Sequence, residues 1–186
     1  MPWQKPLVGV LVFVIATIGI YGLAKGRLTF RWPHSEARMT NAGADNLAPR
    51  ENSPIAPEFA RGTWINSEAL TLKSLRGRVV LVEFWTFGCY NCRNTLPFVK
   101  RWHERYGDKG LTIVGVHSPE FAEERNIDNV RREVASLGIK YPVVIDNDYE
   151  TWKAFSVEAW PTIFVLDKTG RIRWMHVGDG ACDETE

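Results

Sequence analysis

The pattern of apolar and polar positions changes period several times along this chain. Residues 79–85, Val-Val-Leu-Val-Glu-Phe-Trp, form a short apolar run between turn residues, as expected of a strand buried on both faces. Leu96, Val99, Trp102 and Tyr106 then recur at helical spacing, and Gly107 follows as a stop. Pro97 lies inside that helix and should kink it. Leu111 to Val116 reads as the next buried strand. Ile127, Val130, Val134 and Leu137 mark one face of a second helix, stopped by Gly138. Val143 to Ile145 reads as a strand and Glu150 to Phe155 as a short helix. Thr162 to Leu166 and Ile172 to Val177 form two strands around a turn at Lys168-Thr169-Gly170. Upstream, Thr63-Trp64-Ile65 and Leu70-Thr71-Leu72 read as a hairpin closed around Asn66-Ser67-Glu68. The order β-α-β-α-β-α-β-β predicts an α/β domain with a parallel core and an antiparallel edge.

The N-terminus differs in kind. Between Lys5 and Lys25 lie 19 uncharged residues rich in Val, Ile and Leu. As a helix they would span about 29 Å, near the ~30 Å of a bilayer core. A cleaved signal peptide would have an apolar stretch of only ~7–15 residues and a small-x-small site close behind it. The nearest such site, Ala42-Gly43-Ala44, lies far beyond the run. Residues 1–27 are therefore expected to be an uncleaved anchor, crossing the membrane through residues 7–24. Residues 28–56 carry Pro33, Pro49 and Pro54 among Asn, Ala and Ser, and read as a flexible linker. Residues 57–186 would then be the folded domain. A net charge of +1, from 23 basic and 22 acidic residues, gives no reason to expect nucleic-acid binding. Hydrophobic content of 45% and eight tryptophans suit a packed core.

Three cysteines are too few for a disulfide framework and are better read for their chemistry. Cys89-Tyr90-Asn91-Cys92 sits where the strand at 79–85 gives way to the helix. A sulfur there faces unpaired N–H groups and the positive end of the helix dipole, which favour the reactive thiolate. The tetrad reads as a dithiol/disulfide redox centre. A structural zinc site would need a second ligand pair, and His34, His103, His117 and His176 form no spaced pair. No metal or other cofactor is expected. Cys182 stands alone and is read as inert.

Several separated motifs resemble the thioredoxin superfamily, in its membrane-tethered TlpA-like and ResA-like branch and the thioredoxin-like domain of DipZ. These are the lead-in from Leu72 to Val82, the segment from Phe84 to Cys92, Pro97, and Trp160-Pro161-Thr162 before a strand. The resemblance implies a thioredoxin fold with a central mixed sheet. It makes Cys89 the attacking nucleophile and Cys92 the resolving thiol. It makes Glu83 a buried carboxylate that exchanges a proton with Cys92, and Pro161 a cis-proline bordering a peptide-binding edge with Trp160. Tyr90 and Asn91, between the cysteines, would tune the potential and meet substrate. Gly88 stands where thioredoxin has Trp, removing an aromatic lid from Cys89. Thr95 stands where the cytochrome-maturation members have Glu. Asp183-Glu184-Thr185-Glu186 looks like the acidic start of a last helix that is otherwise missing.

The expectation is thus a single-pass, extracytoplasmic thiol–disulfide oxidoreductase of the cytoplasmic membrane. It would reduce protein disulfides with electrons from a transmembrane donor of the CcdA or DsbD kind. Two other classes compete. Thr86-Phe87-Gly88-Cys89 echoes the Thr-x-x-Cys of peroxiredoxins, although Val82 replaces their upstream proline and a vicinal Cys92 suits exchange better. A Sco-like copper module would need a distal histidine, for which His176 is the candidate.

Overall fold

A computed structural model describes residues 47–186. The expected anchor and the linker as far as residue 46 lie outside these residues. Among those described, no helix is long and apolar enough to cross a membrane.

Six strands form one sheet: β1 (Trp64–Ile65), β2 (Val79–Trp85), β3 (Leu111–His117), β4 (Val143–Ile145), β5 (Thr162–Leu166) and β6 (Ile172–Val177). Their spatial order is β1-β4-β3-β2-β5-β6. Helices α1 (Tyr90–Tyr106), α2 (Ile127–Ser136), α3 (Glu150–Ala154) and a single terminal turn, α4 (Cys182–Thr185), complete the domain. The parallel part is confined to β2-β3-β4, and antiparallel strands flank it on both sides, so the sheet is mixed.

β2 lies near the middle because it lacks a solvent face: all its residues after Val79 are buried. It pairs in parallel with β3 from Val79↔Leu111 to Trp85↔His117, and antiparallel with β5 from Val80↔Leu166 to Phe84↔Thr162. Alternate side chains point to opposite faces. Val80, Val82 and Phe84 join Val114, Val116, Phe155, Phe164 and Leu166 in one core cluster. Leu81 and Trp85 join Leu96, Val99, Trp102, Val130, Val134 and Tyr141 in the other, beneath α1 and α2. Glu83 belongs by this alternation to the α1 side.

The upstream hairpin does not form. Trp64 and Ile65 pair with Val144 and Val143 of β4, and Leu70 to Leu72 is not a strand. Asn66, at φ 66°, turns the chain, and its amide donates to the carbonyls of Ile139 (2.9 Å) and Tyr141 (3.1 Å). The Thr71 and Ser74 side chains bond each other's backbone N–H groups and close a turn instead. Leu72 is buried by packing, not by ladder pairing. Residues 48–56, expected as linker, lie along the sheet edge. Ala48 N–H donates to Arg173 O (2.8 Å), Ala56 N–H to Gly170 O (2.9 Å), and Ile172 N–H to Pro54 O (2.9 Å). The unpaired edge of β6 supplies these partners, which composition alone does not reveal.

Phe84 is fully buried and meets Trp152, Phe155 and Phe164 with ring centroids 5.3–6.0 Å apart. Phe84→Ala should therefore cost about 3–5 kcal/mol of unfolding free energy, read as a lower urea midpoint at unchanged slope.

Candidate active site

The chain leaves β2 at Thr86, crosses Phe87 and Gly88, and enters α1 with Cys89 as its N-cap. The Cys92 N–H donates to Cys89 Sγ at 3.2 Å, so the sulfur satisfies an N–H at the open end of the helix. Cys89 and Cys92 are joined as a disulfide with Cα atoms 5.3 Å apart. Cys89 is 8% exposed and Cys92 is 2% exposed, so Cys89 is the more reachable sulfur by a small margin. Tyr90 and Asn91 are exposed between them, with Tyr90 77% accessible.

Beneath α1, Glu83 is fully enclosed. Tyr141 donates its O–H to Glu83 Oε2 at 3.0 Å, and the Thr95 hydroxyl lies 3.4 Å from Oε1. The same Thr95 hydroxyl donates to Cys92 O at 2.9 Å, linking the Cys92 turn to the carboxyl. Burial pushes the Glu83 carboxyl up to about 7, and the Tyr141 and Thr95 hydrogen bonds hold it from rising further. A Cβ on Gly115, across the ladder from Glu83, would stand 3.1 Å from the Tyr141 ring and 2.8 Å from Trp85 Nε1. Glycine at this position leaves room for the tyrosine to reach the carboxyl. Glu83 was legible as a candidate in the sequence, but Tyr141, 58 residues away, was not.

At the end of β2, the Phe84↔Thr162 register brings Pro161 to the edge from which the Cys89 loop emerges. The Trp160–Pro161 bond is cis. Trp160 packs against the cluster containing both cysteines, lies tilted against Trp152 with ring centroids 4.4 Å apart, and donates its indole N–H to Ser118 O at 3.0 Å.

On the other side of the loop lies a group that sequence reasoning missed. Glu124, wholly buried, stands on a short 3-10 turn, Ala122–Arg125, after β3. Its Oε1 accepts the Gly88 N–H at 2.8 Å; its Oε2 accepts those of Glu120 (2.5 Å) and Phe121 (2.9 Å). Burial alone would raise its carboxyl, but bonds from the Thr86 hydroxyl and these three N–H groups outweigh it and hold the carboxyl below its ordinary value. Thr86 Oγ1 is also 3.2 Å from His117 Nε2. His117 is buried, stacks on Phe87 at 5.7 Å, and is held down to about 4 by burial. The space beside Gly88 is therefore not an open lid position. A Cβ there would stand 2.5 Å from Glu124 Oε1. Glu124 sits in Ala-Glu-Glu-Arg, a run with the look of solvated surface, and offered no signal in the sequence.

Cys182 is buried in the α1-side cluster, and burial together with Asp183 and Asp179 raises its thiol. His176 stacks on Trp174 at 5.7 Å. Among the described residues no group of three His, Cys, Asp or Glu side chains is placed to hold a metal ion. The acidic C-terminus forms one helical turn, and Glu186 bonds Trp102, Arg105 and Tyr106 of α1.

The profile of the family described as Redoxin matches residues 50–185. Over 154 residues the chain is 40% identical to Protein DipZ of Mycobacterium bovis, covering 81% of this chain and 22% of that protein. It therefore spans about a fifth of the length of the DipZ relatives. It is 29% identical to the thiol-disulfide oxidoreductase YkuV of Bacillus subtilis, over 67% of this chain and 84% of YkuV. The crystal structure of a thiol-disulfide isomerase from Corynebacterium glutamicum superimposes with TM-score 0.64 at 29% identity, over 70% of this chain and 89% of that one.

The raised Glu83 carboxyl has a consequence for stability. Folded Glu83 keeps its proton to about pH 7, whereas an ordinary glutamate releases it near 4.5. Its contribution is therefore present below pH 4.5 and is lost as pH rises through 7. Two to three pKa units correspond to about 3 kcal/mol. His117, held down, acts with the opposite sign: stability is lost as pH falls below 6.5. Subtracting Glu83→Gln from wild type cancels the histidine. The wild type should lose up to about 3 kcal/mol relative to Glu83→Gln between pH 4.5 and 8 in denaturant titrations. A difference independent of pH would contradict the assignment.

Proposed function

The chain belongs to the Redoxin family, and from that membership we propose that it is a thiol–disulfide oxidoreductase that reduces protein disulfides. The observation that carries the reading is the paired Cys89 and Cys92 at the N-terminus of α1, with a protonatable carboxyl below the second. In the reduced protein, the Cys89 thiolate attacks a substrate disulfide. A mixed disulfide forms and one substrate thiolate leaves. Cys92 passes its proton to Glu83, through water or by way of the Thr95 hydroxyl, and attacks Cys89 Sγ. The second substrate thiolate leaves, the Cys89–Cys92 disulfide closes, and two electrons have passed to the substrate. A Glu83 near 7 takes up and returns such a proton at physiological pH.

Exposed Tyr90 and Asn91, with half-buried Trp160 and buried Pro161 at the same end of the sheet, would form the peptide-binding edge. Re-reduction requires a donor, for which a transmembrane dithiol carrier of the CcdA or DsbD kind is the proposal. The 19-residue uncharged run before Lys25 would anchor the protein in the cytoplasmic membrane with this domain on the extracytoplasmic side. The peroxidase reading loses its main support, because the Thr86 hydroxyl is engaged by His117 and Glu124.

Cys92→Ser should accumulate mixed disulfides with cellular proteins on non-reducing gels, and Cys89→Ser should accumulate none. Trapping by both variants, or by neither, would defeat the assigned roles. Glu83→Gln should slow the resolving step by about 10²-fold or more while leaving the first attack within a few-fold. Equal slowing of both steps would remove Glu83 from proton transfer.

A further inference from the structure

We propose that Glu124 is a positioning residue for Cys89: its carboxylate, docked on the Gly88 N–H, fixes the entry to α1 and biases the dithiol toward donating electrons. The proposal rests on the oxidoreductase reading and addresses the direction in which that site runs.

The geometry is specific. Glu124 is 0% exposed, yet both carboxylate oxygens are occupied by donors: Gly88 N–H on one, Glu120 and Phe121 N–H on the other. Thr86, three residues before Cys89, adds its hydroxyl, and His117 backs that hydroxyl from β3. The carboxylate thus clasps both ends of the Thr86–Gly88 segment. Glycine at 88 is what makes this possible, because a Cβ there would stand 2.5 Å from Oε1 and 3.4 Å from the Phe121 ring.

The electrostatic consequence follows from position. An enclosed anion beside the residue preceding Cys89 opposes a second negative charge on Sγ. It also takes up the Gly88 N–H, a donor at the mouth of the helix that would otherwise contribute positive potential there. Both effects disfavour the Cys89 thiolate. Closing the Cys89–Cys92 disulfide removes that charge, so the oxidised form is favoured and the reduced form gives up its two electrons more readily. The other charged groups near the loop do not reverse this. His117 is neutral because burial holds it near 4. Arg93, on the first turn of α1, is exposed and donates its Nε–H to Phe87 O at 3.1 Å. Glu120, Glu123 and Arg125 beside Glu124 are exposed and screened by solvent.

Two variants test the proposal by different routes. Glu124→Gln keeps an acceptor and removes the charge. Gly88→Ala keeps the glutamate and forces its carboxylate off the loop; residue 88 is not in the left-handed region, and the atoms nearest the added methyl belong to Glu124 and Phe121. Thiolate absorbance near 240 nm gives the Cys89 titration midpoint of the reduced protein. Equilibration against dithiothreitol buffers gives the potential. Both variants should lower the midpoint by about one unit. At a pH above that midpoint, both should shift the equilibrium about tenfold toward the dithiol, about 30 mV for a two-electron couple. A purely structural role would lower the melting temperature without moving either reading. Folded variants with wild-type midpoint and potential, or shifts of the opposite sign, overturn the proposal. If Glu124→Gln fails to fold, Gly88→Ala decides alone. Both measurements are made on the dithiol itself, so absence of protein-disulfide reductase activity would defeat the functional reading without touching this one.

Discussion

β2 has no face in water, and the site depends on that constraint. Paired on both sides, it must send alternate side chains into two separate cores. Val80, Val82 and Phe84 fill one, while Leu81, Glu83 and Trp85 face α1. The strand therefore fixes two things at once. It delivers the chain to the end of the sheet where Cys89 caps α1, and it places a buried carboxyl under that helix. Slipping the register by one residue would exchange Glu83 for a valine or a phenylalanine and leave no carboxyl beneath the helix that carries the dithiol.

Two glutamates, both fully buried, flank the dithiol and are driven in opposite directions. Glu83 is offered the Tyr141 hydroxyl and a Thr95 hydroxyl whose one proton it shares with Cys92 O; these do not offset desolvation, and its carboxyl rises to about 7. Glu124 is offered three backbone N–H groups and a hydroxyl, which do, and it falls below its ordinary value. Burial is common to both; the number of fixed donors decides the charge. One glutamate is thereby suited to carrying a proton, the other to holding a loop with a permanent charge. Backbone donors suit the second task because they are fixed by the fold and cannot rotate away.

Much of this architecture is legible in the sequence because period and punctuation are local. The runs at 79–85, 111–116, 143–145, 162–166 and 172–177 became β2 to β6 nearly as expected, and the helix from the tetrad ends at Tyr106 before Gly107. Glu83 stood out because it interrupts an apolar run. The hairpin around Asn66-Ser67-Glu68 misled because three alternating residues fit a strand or a side-chain-closed turn equally well. Residues 48–56 looked like linker because what orders them is the edge of β6, more than a hundred residues away.

The order of strands and helices, the position of Cys89-Tyr90-Asn91-Cys92 at a strand-to-helix junction, and one carboxyl out of place in a buried strand are all written in the chain's letters. The company those groups keep comes from distant segments meeting in the fold: Tyr141 and Thr95 around Glu83, and Glu124, Thr86 and His117 around the loop before Cys89. The difference is one of range. Periodicity, caps and turns act within a few residues and are written in consecutive letters. The charge of a buried carboxyl depends on desolvation and on donors brought from distant segments, and neither exists until the chain has folded.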